Sequence, residues 1–455
     1  MKLPEKFIER MKRMPELDSG AFLSAMDEPP VGGIRLNRIK CGCTEDFSID
    51  GFTLTPLSYI DTGFIYEGEG IGNTPEHHAG IIYSQDPGAM AALAAVDIPR
   101  GASVADLCAA PGGKASFLAE AVGEGGFLLA NEYVPKRAKI IVSNFERLGI
   151  GNAIVTSLDT GALASMFESH FDLVLLDVPC SGEGMFRKSA EALRDWSEET
   201  VHACAARAKG ILDNGARLVA PGGHLLFSTC TYAVEENEAQ VLSFLESHPD
   251  FHIVSVKPAL AASTEDGIAI GGNEELRKTR RCYPHVTRGE GQYIALLKRD
   301  EGRAPKQTIL YKDSSKPLTR DEESAVKQFF LDTVGHMPRG SLRRVGENLV
   351  LIPHSTPIPS HGVFASGILL GEVRGNMLHP SHHLTMVLGG QFKNKEELSG
   401  DPARLASYLK GQEIFASCPD MRGFVALTYK GATLGLGKAS GGVIKNHYPK
   451  GLRLK

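Results

Sequence analysis

Between Ser84 and Arg299, strand-length apolar runs alternate with helix-length amphipathic stretches. The runs are SVADLCA, GFLLANE, AIVTSL, FDLVLLDVPC and GHLLFSTCTY. Strands this uniformly apolar suit a sheet covered on both faces, and the stretches between them supply the covers. PKRAKIIVSNFERLG and VEENEAQVLSFLESH place apolar residues three and four apart, the spacing of a helix with one buried face. The pattern predicts an α/β fold, a doubly wound parallel sheet over residues 83–299.

The flanks read differently. Residues 1–82 mix short apolar runs with turn signals, as a small α+β domain would, and IRLNRIK alternates like a strand with three cations on one side. Near Asp300 the rhythm stops. EGRAPKQTILYKDSSKPLTR reads as a polar linker into a helix, DEESAVKQFFLDTV, within an intermediate region 300–388. Residues 389–455 hold short alternating runs divided by Gly-rich turns, which predicts a small β-barrel. A chain of 455 residues with 42% hydrophobic and 23% charged residues can bury several cores, so extended disorder is excluded.

No run of about 18 apolar residues is present, and MKLPEKFIERMKR lacks the apolar stretch of a signal peptide, so a soluble, cytoplasmic monomer without a membrane contact is expected. Eight irregularly spaced cysteines fit reduced thiols. The net charge of −5 argues against non-specific coating of nucleic acid. Positive charge nevertheless collects late: Met421 to Lys455 has seven Lys or Arg and no acid. That tail favours phosphate contact.

In an open parallel sheet the ligand lies beyond the carboxyl ends of the strands. The first run ends in Cys108, Ala109, Ala110, Pro111, Gly112, Gly113 and Lys114, small residues that let a ligand approach the next helix's amides. The second ends in Glu132, where a carboxylate accepts from ribose hydroxyls. The turn is not G-x-G-x-x-G, so S-adenosylmethionine is expected over a nicotinamide cofactor, with Asp159 after the third strand placed for the adenine amino group. The fourth run ends in Asp177, Val178, Pro179 and Cys180, and the fifth in Thr229, Cys230 and Thr231. Two thiols leaving adjacent strands face one reaction centre. Methylation of a pyrimidine at C5 needs such a pair, because C5 is a poor nucleophile until a thiolate adds at C6 and a base then removes the C5 proton. Asp177 can hydrogen-bond the cytosine edge at N3 and the amino group.

CAAPGGK, DVPCSGEGMFRK and STCTY together resemble the RNA cytosine-5 methyltransferase family, the Nol1/Nop2/Sun group. The resemblance covers roughly residues 3–299, including IIYSQDPGAM, RRCYPH and GEGQYIALL. It implies a Rossmann-like class I methyltransferase sheet that binds S-adenosylmethionine at Cys108 to Lys114, Glu132, Asp159 and Asp177. It also implies roles the residues leave open: Cys230 as nucleophile and Cys180 as the group that releases product. Thr231 replaces the family's frequent Ser and keeps the hydroxyl. GKASGGVIKNHYPKGLR looks like the PUA-like tail of bacterial small-subunit rRNA methyltransferase F proteins, implying an RNA-binding region and a small-subunit (16S) rRNA substrate.

The rival readings are a tRNA cytosine-5 methyltransferase and a non-catalytic RNA-binding ribosome assembly factor. Cys41 and Cys43 have no second pair at zinc spacing, so no metal is expected. His77-His78 and His382-His383 read as surface loop residues, Trp196 as a packing anchor, and Phe424 as core, with Tyr429 and Tyr448 open to stacking or packing.

Overall fold

The computed structural model describes residues 2–42, 46–302, 311–353 and 355–454. Cys43 and residues 303–310 of the expected linker lie outside the described residues.

The five apolar runs form parallel strands Ser103–Asp106, Phe127–Asn131, Ala153–Thr156, Phe171–Asp177 and Val219–Thr229, here the first to fifth. They stand side by side in the order third, second, first, fourth, fifth. Every residue of Phe127–Asn131 is buried, as a central strand covered on both faces requires. Gln292–Arg299 returns antiparallel beside the fifth strand. The strand order reverses between the first and fourth strands, whose carboxyl ends therefore frame the crevice. The helix Pro135–Leu148 shows how a cover is made. Pro at its start presets φ, Ala138, Ile141, Phe145 and Leu148 form its buried stripe, and Gly149 at φ 74° ends it.

At the other edge the sheet gains a strand that periodicity did not reveal. Val363–Ser366, from the intermediate region, pairs antiparallel with Ala153–Thr156. The rest of that region holds the expected helix, Arg320–Thr333, and a four-stranded sheet of its own. The helix opens on a capping box in which Thr319 and Glu322 satisfy each other's backbone amides.

The first 82 residues form the helices Glu5–Arg13 and Ser19–Asp27, the short helix Pro75–His78 and strands of an antiparallel sheet. IRLNRIK is not a strand throughout. Gly32–Leu36 ends because Asn37 turns its amide to the carbonyls of Gly80 and Leu148, both at 2.8 Å. Nor do its cations share an open face: Arg35 is 1% exposed and paired with Glu120 at 2.9 Å beneath the helix Gly113–Val122.

The C-terminal strands form a five-stranded sheet, a half-barrel, whose core is shared. Leu398, Tyr408, Val425, Leu427 and Leu434 pack in one cluster with Ile34, Leu36, Phe64 and Ile82. The histidine pairs belong to this junction and are not surface loops. His78 Nδ1 meets Tyr448 Oη at 2.8 Å, and His383, 8% exposed, meets the carbonyl of Ile150 at 2.8 Å. Their burial comes from four segments distant in sequence closing over them. Tyr429 and Tyr448 are buried, which removes them as stacking platforms, while Phe424 is half-buried.

Candidate active site

The first strand delivers Asp106, 1% exposed, whose Oδ1 accepts from the amide of Cys108 at 3.2 Å. Burial and the nearby Asp177 push its carboxyl up to about 8. The chain then turns through Cys108 to Lys114. The Ala109 amide donates to Asn131 O at 2.8 Å, and the carbonyls of Ala110 and Pro111 accept from Arg137 and Asn144. Gly112, at φ 112°, lets the chain enter the helix Gly113–Val122. A Cβ on Gly113 would come within 2.9 Å of the Tyr83 ring, so the turn is pressed against the N-terminal unit. Burial holds the Cys108 thiol protonated.

Glu132 ends the second strand, 4% exposed, accepting from Val134 N at 2.9 Å and paired with Arg137 at 3.1 Å. Asp159 follows the third strand, exposed, with Oδ1 capping the helix Thr160–Met166 through Gly161 N at 2.8 Å. Its other oxygen has no such duty. Asn131 buckles these three strand ends together through Leu107 O, Leu158 O, Leu158 N and Thr156 Oγ1. The small-residue turn and a buried carboxylate with spare lone pairs fit the donor set of S-adenosylmethionine, whose ribose hydroxyls need acceptors.

Across the crevice, Asp177 has three protein partners. Oδ2 accepts from Lys114 Nζ at 2.9 Å, and Oδ1 from Ser228 Oγ at 2.7 Å and Gln292 Nε2 at 3.2 Å. Lys114 therefore spans the point where strand order reverses, tying the cofactor turn to the fourth strand.

Cys180 and Cys230 come together with their sulfurs 3.3 Å apart, and the Cys230 amide also donates to Cys180 Sγ at 3.3 Å. The hydrogen bond with Cys230 and burial push the Cys180 thiol well up. Behind the sulfurs Ser181 Oγ lies 2.9 Å from Thr231 Oγ1. Glu236 receives the Ser181 amide, and Glu183 receives Trp196 Nε1, Thr231 Oγ1 and Tyr232 N. Trp196 is a packing anchor, as expected, and also a donor. It closes an aromatic cluster with Phe7, Phe22, Phe186, Tyr232 and Tyr283.

The structure thus brings Cys108 to Lys114, Glu132, Asp159, Asp177, Cys180 and Cys230 to the carboxyl ends of neighbouring strands of one sheet. Sequence reasoning missed Ser228, Gln292, Asn131 and Glu236. Gln292 sits in the quoted GEGQYIALL and Ser228 in STCTY, so both were inside signals whose individual members were not distinguished. Arg187 and Lys188 of the GMFRK segment bind Glu290 and Asp86 and do not face the crevice as free cations. Among the described residues no three His, Cys, Asp or Glu side chains are placed to share a metal ion, and no helix is long and apolar enough to cross a membrane.

Residues 93–298 match the 16S rRNA methyltransferase RsmB/F family, residues 3–87 the N-terminal domain of 16S rRNA methyltransferase RsmF, and residues 389–454 the methyltransferase RsmF PUA domain. Ribosomal RNA small subunit methyltransferase F of Klebsiella pneumoniae is 30% identical, over 99% of this chain and 96% of that protein. Its namesake in Vibrio vulnificus is 30% identical over 99% and 97%. A methyltransferase homologue from Pyrococcus horikoshii superposes with a TM-score of 0.56 at 27% identity, covering 65% of this chain and 95% of that one. Matched along almost its whole length, the chain belongs to the 16S rRNA methyltransferase RsmB/F family, whose methyl donor is S-adenosylmethionine.

Proposed function

We propose that the protein methylates C5 of a cytosine in small-subunit rRNA through a covalent bond between Cys230 and C6 of the base. The observation that carries this reading is the pair of sulfurs 3.3 Å apart at the ends of the strands that also carry Asp177 and Ser228. Cys108 to Lys114, Glu132, Asp159 and Asp177 would hold S-adenosylmethionine, which supplies an electrophilic methyl group. The Cys230 thiolate adds at C6 and makes C5 nucleophilic. Asp177 accepts from the cytosine amino group. Contact with N3 needs a donor, and Lys114 beside Asp177 can supply one. After alkylation, Cys180 assists removal of the C5 proton and expulsion of Cys230. The half-barrel tail brings the RNA, in keeping with its match to a PUA domain.

A denaturing gel tests the division of labour. With donor and substrate RNA present, Cys180→Ala should migrate as an SDS-resistant protein–RNA adduct, and Cys230→Ala and the double variant should not. An adduct with Cys230→Ala instead would exchange the roles.

A further inference from the structure

The loops carrying the two sulfurs are joined behind them by a row of four oxygens. Glu236 Oε1, Ser181 Oγ, Thr231 Oγ1 and Glu183 Oε2 follow one another at 2.5, 2.9 and 3.0 Å. Three oxygen–oxygen contacts need three protons, and the two hydroxyls supply only two. The third proton must sit on a carboxyl group. The surroundings decide which. Burial pushes Glu183 up as it does Glu236, but Glu183 takes hydrogens from Trp196 Nε1 and Tyr232 N besides Thr231, and Arg10 adds positive charge, so of the two it is the better suited to the ionised form. Glu236 receives the Ser181 amide on Oε2, which leaves Oε1 to carry a hydrogen toward Ser181. Thr231 Oγ1 also receives the Ala233 amide at 3.2 Å, so once Glu183 is the ionised partner its hydrogen goes to Glu183 and its remaining lone pair to Ser181. One direction satisfies every atom.

We propose that protonated Glu236 donates to Ser181, Ser181 to Thr231 and Thr231 to ionised Glu183, and that this one-way chain positions Cys180 and Cys230 for reaction. Ser181 directly follows Cys180 and Thr231 directly follows Cys230, so the chain fixes both sulfurs' backbones from behind. Glu236 is a positioning residue; it touches neither base nor cofactor. Both carboxyls are almost wholly buried, and burial pushes Glu236 up to about 7. The groups facing Glu236 are Ser181, Thr231, Glu183, Cys180 and Cys204, while its neighbour Glu235 is paired with Arg10. Loss of the proton to solvent leaves one contact without a hydrogen and two carboxylates facing each other across two hydroxyls.

The proposal rests on the cytosine C5 reading, and its test separates the two. At saturating donor and RNA, kcat of the wild type should fall as pH rises through about 7. In Glu236→Gln the amide oxygen accepts from Ser181 N and the amide N–H donates to Ser181 Oγ. This variant should keep kcat and move the fall upward by a pH unit or more. Glu236→Ala should lower kcat roughly tenfold at unchanged KM for RNA. A Gln variant as impaired as the Ala variant, or an unmoved fall, overturns the proposal. Infrared difference spectra read the proton without substrate. In the wild-type spectrum minus that of Glu236→Gln, where the Asp106 band cancels, a carboxylic-acid carbonyl band should disappear through about pH 7. If that band titrates but no C5 product forms, the reaction reading fails and the proton chain stands. If no band titrates, the chain fails whatever the product.

Discussion

The two sides of the crevice are built by opposite rules. On the cofactor side, Glu132 and Asp159 each secure a backbone amide and keep lone pairs for a ligand. On the thiol side, the polar atoms behind the sulfurs are spent on one another: Ser181, Thr231, Glu183 and Glu236 form a closed set. A binding surface replaces water with ligand and needs open acceptors. A covalent centre must keep its geometry while bonds form and break, so its supports are internally satisfied. Lys114 and Asp177 join the two sides, which makes them the place where the distinction should blur.

The largest expected effect separates the sides completely. Cys230→Ala should reduce methylation to background while calorimetry finds the wild-type dissociation constant for S-adenosylmethionine; a weakened constant would break the separation. Next comes Asp177→Ala, which frees Lys114, Ser228 and Gln292 together. It should impair both donor binding and turnover, and an effect on turnover alone would place Asp177 wholly on the thiol side.

Glu132→Ala should weaken donor binding by about 1.5 to 3 kcal/mol, the range for hydrogen bonds to a charged group, with turnover recovering at saturating donor. An unchanged dissociation constant would remove Glu132 from the ribose site. Stability against pH sharpens the other side. The Glu236 carboxyl is raised in the folded state, so its stabilising contribution is full below its unfolded value and is lost as pH rises to about 7. The melting temperature of the wild type should therefore drop relative to Glu236→Gln between about pH 5 and 8, and parallel curves would refute a trapped proton. Asp106, raised for the same reason, is present in both proteins and cancels.

The smallest effect lies far from the crevice. Lys438 and Lys445 stand opposite each other on adjacent strands of the tail, both exposed, whereas Lys430 is spent on Glu76 and Arg453 on the Tyr448 carbonyl. Lys438→Ala and Lys445→Ala should each lower the log–log salt slope of RNA binding by roughly 0.7 to 0.9, with donor affinity untouched. Equal slopes would deny these lysines a phosphate.

The strand ends were legible because both their causes are local: an apolar run makes a strand, and small or polar residues directly after it make the ligand turn. Cys108 to Lys114, Glu132, Asp177, Cys180 and Cys230 could be named for that reason. Glu236 could not, since its partner Ser181 lies 55 residues earlier. Arg35 was grouped with the other cations of IRLNRIK on one side of a strand, and its burial escaped notice because its partner Glu120 is 85 residues away. The histidine pairs failed likewise, their burial decided by segments that the local pattern does not connect. Val363–Ser366 is too short to announce that it completes a sheet begun more than two hundred residues earlier.

The core shared by the N-terminal sheet and the half-barrel has a consequence for how the chain is made. Ile34 and Phe64 leave the ribosome long before Val425 and Leu434, which cover them. Closing a loop that long is entropically costly and slow. Until the half-barrel has been made, the apolar face of the first sheet stands uncovered and prone to association. A chain stopped before residue 398 would lack that cover for good, so removal of the tail tests folding as much as RNA binding.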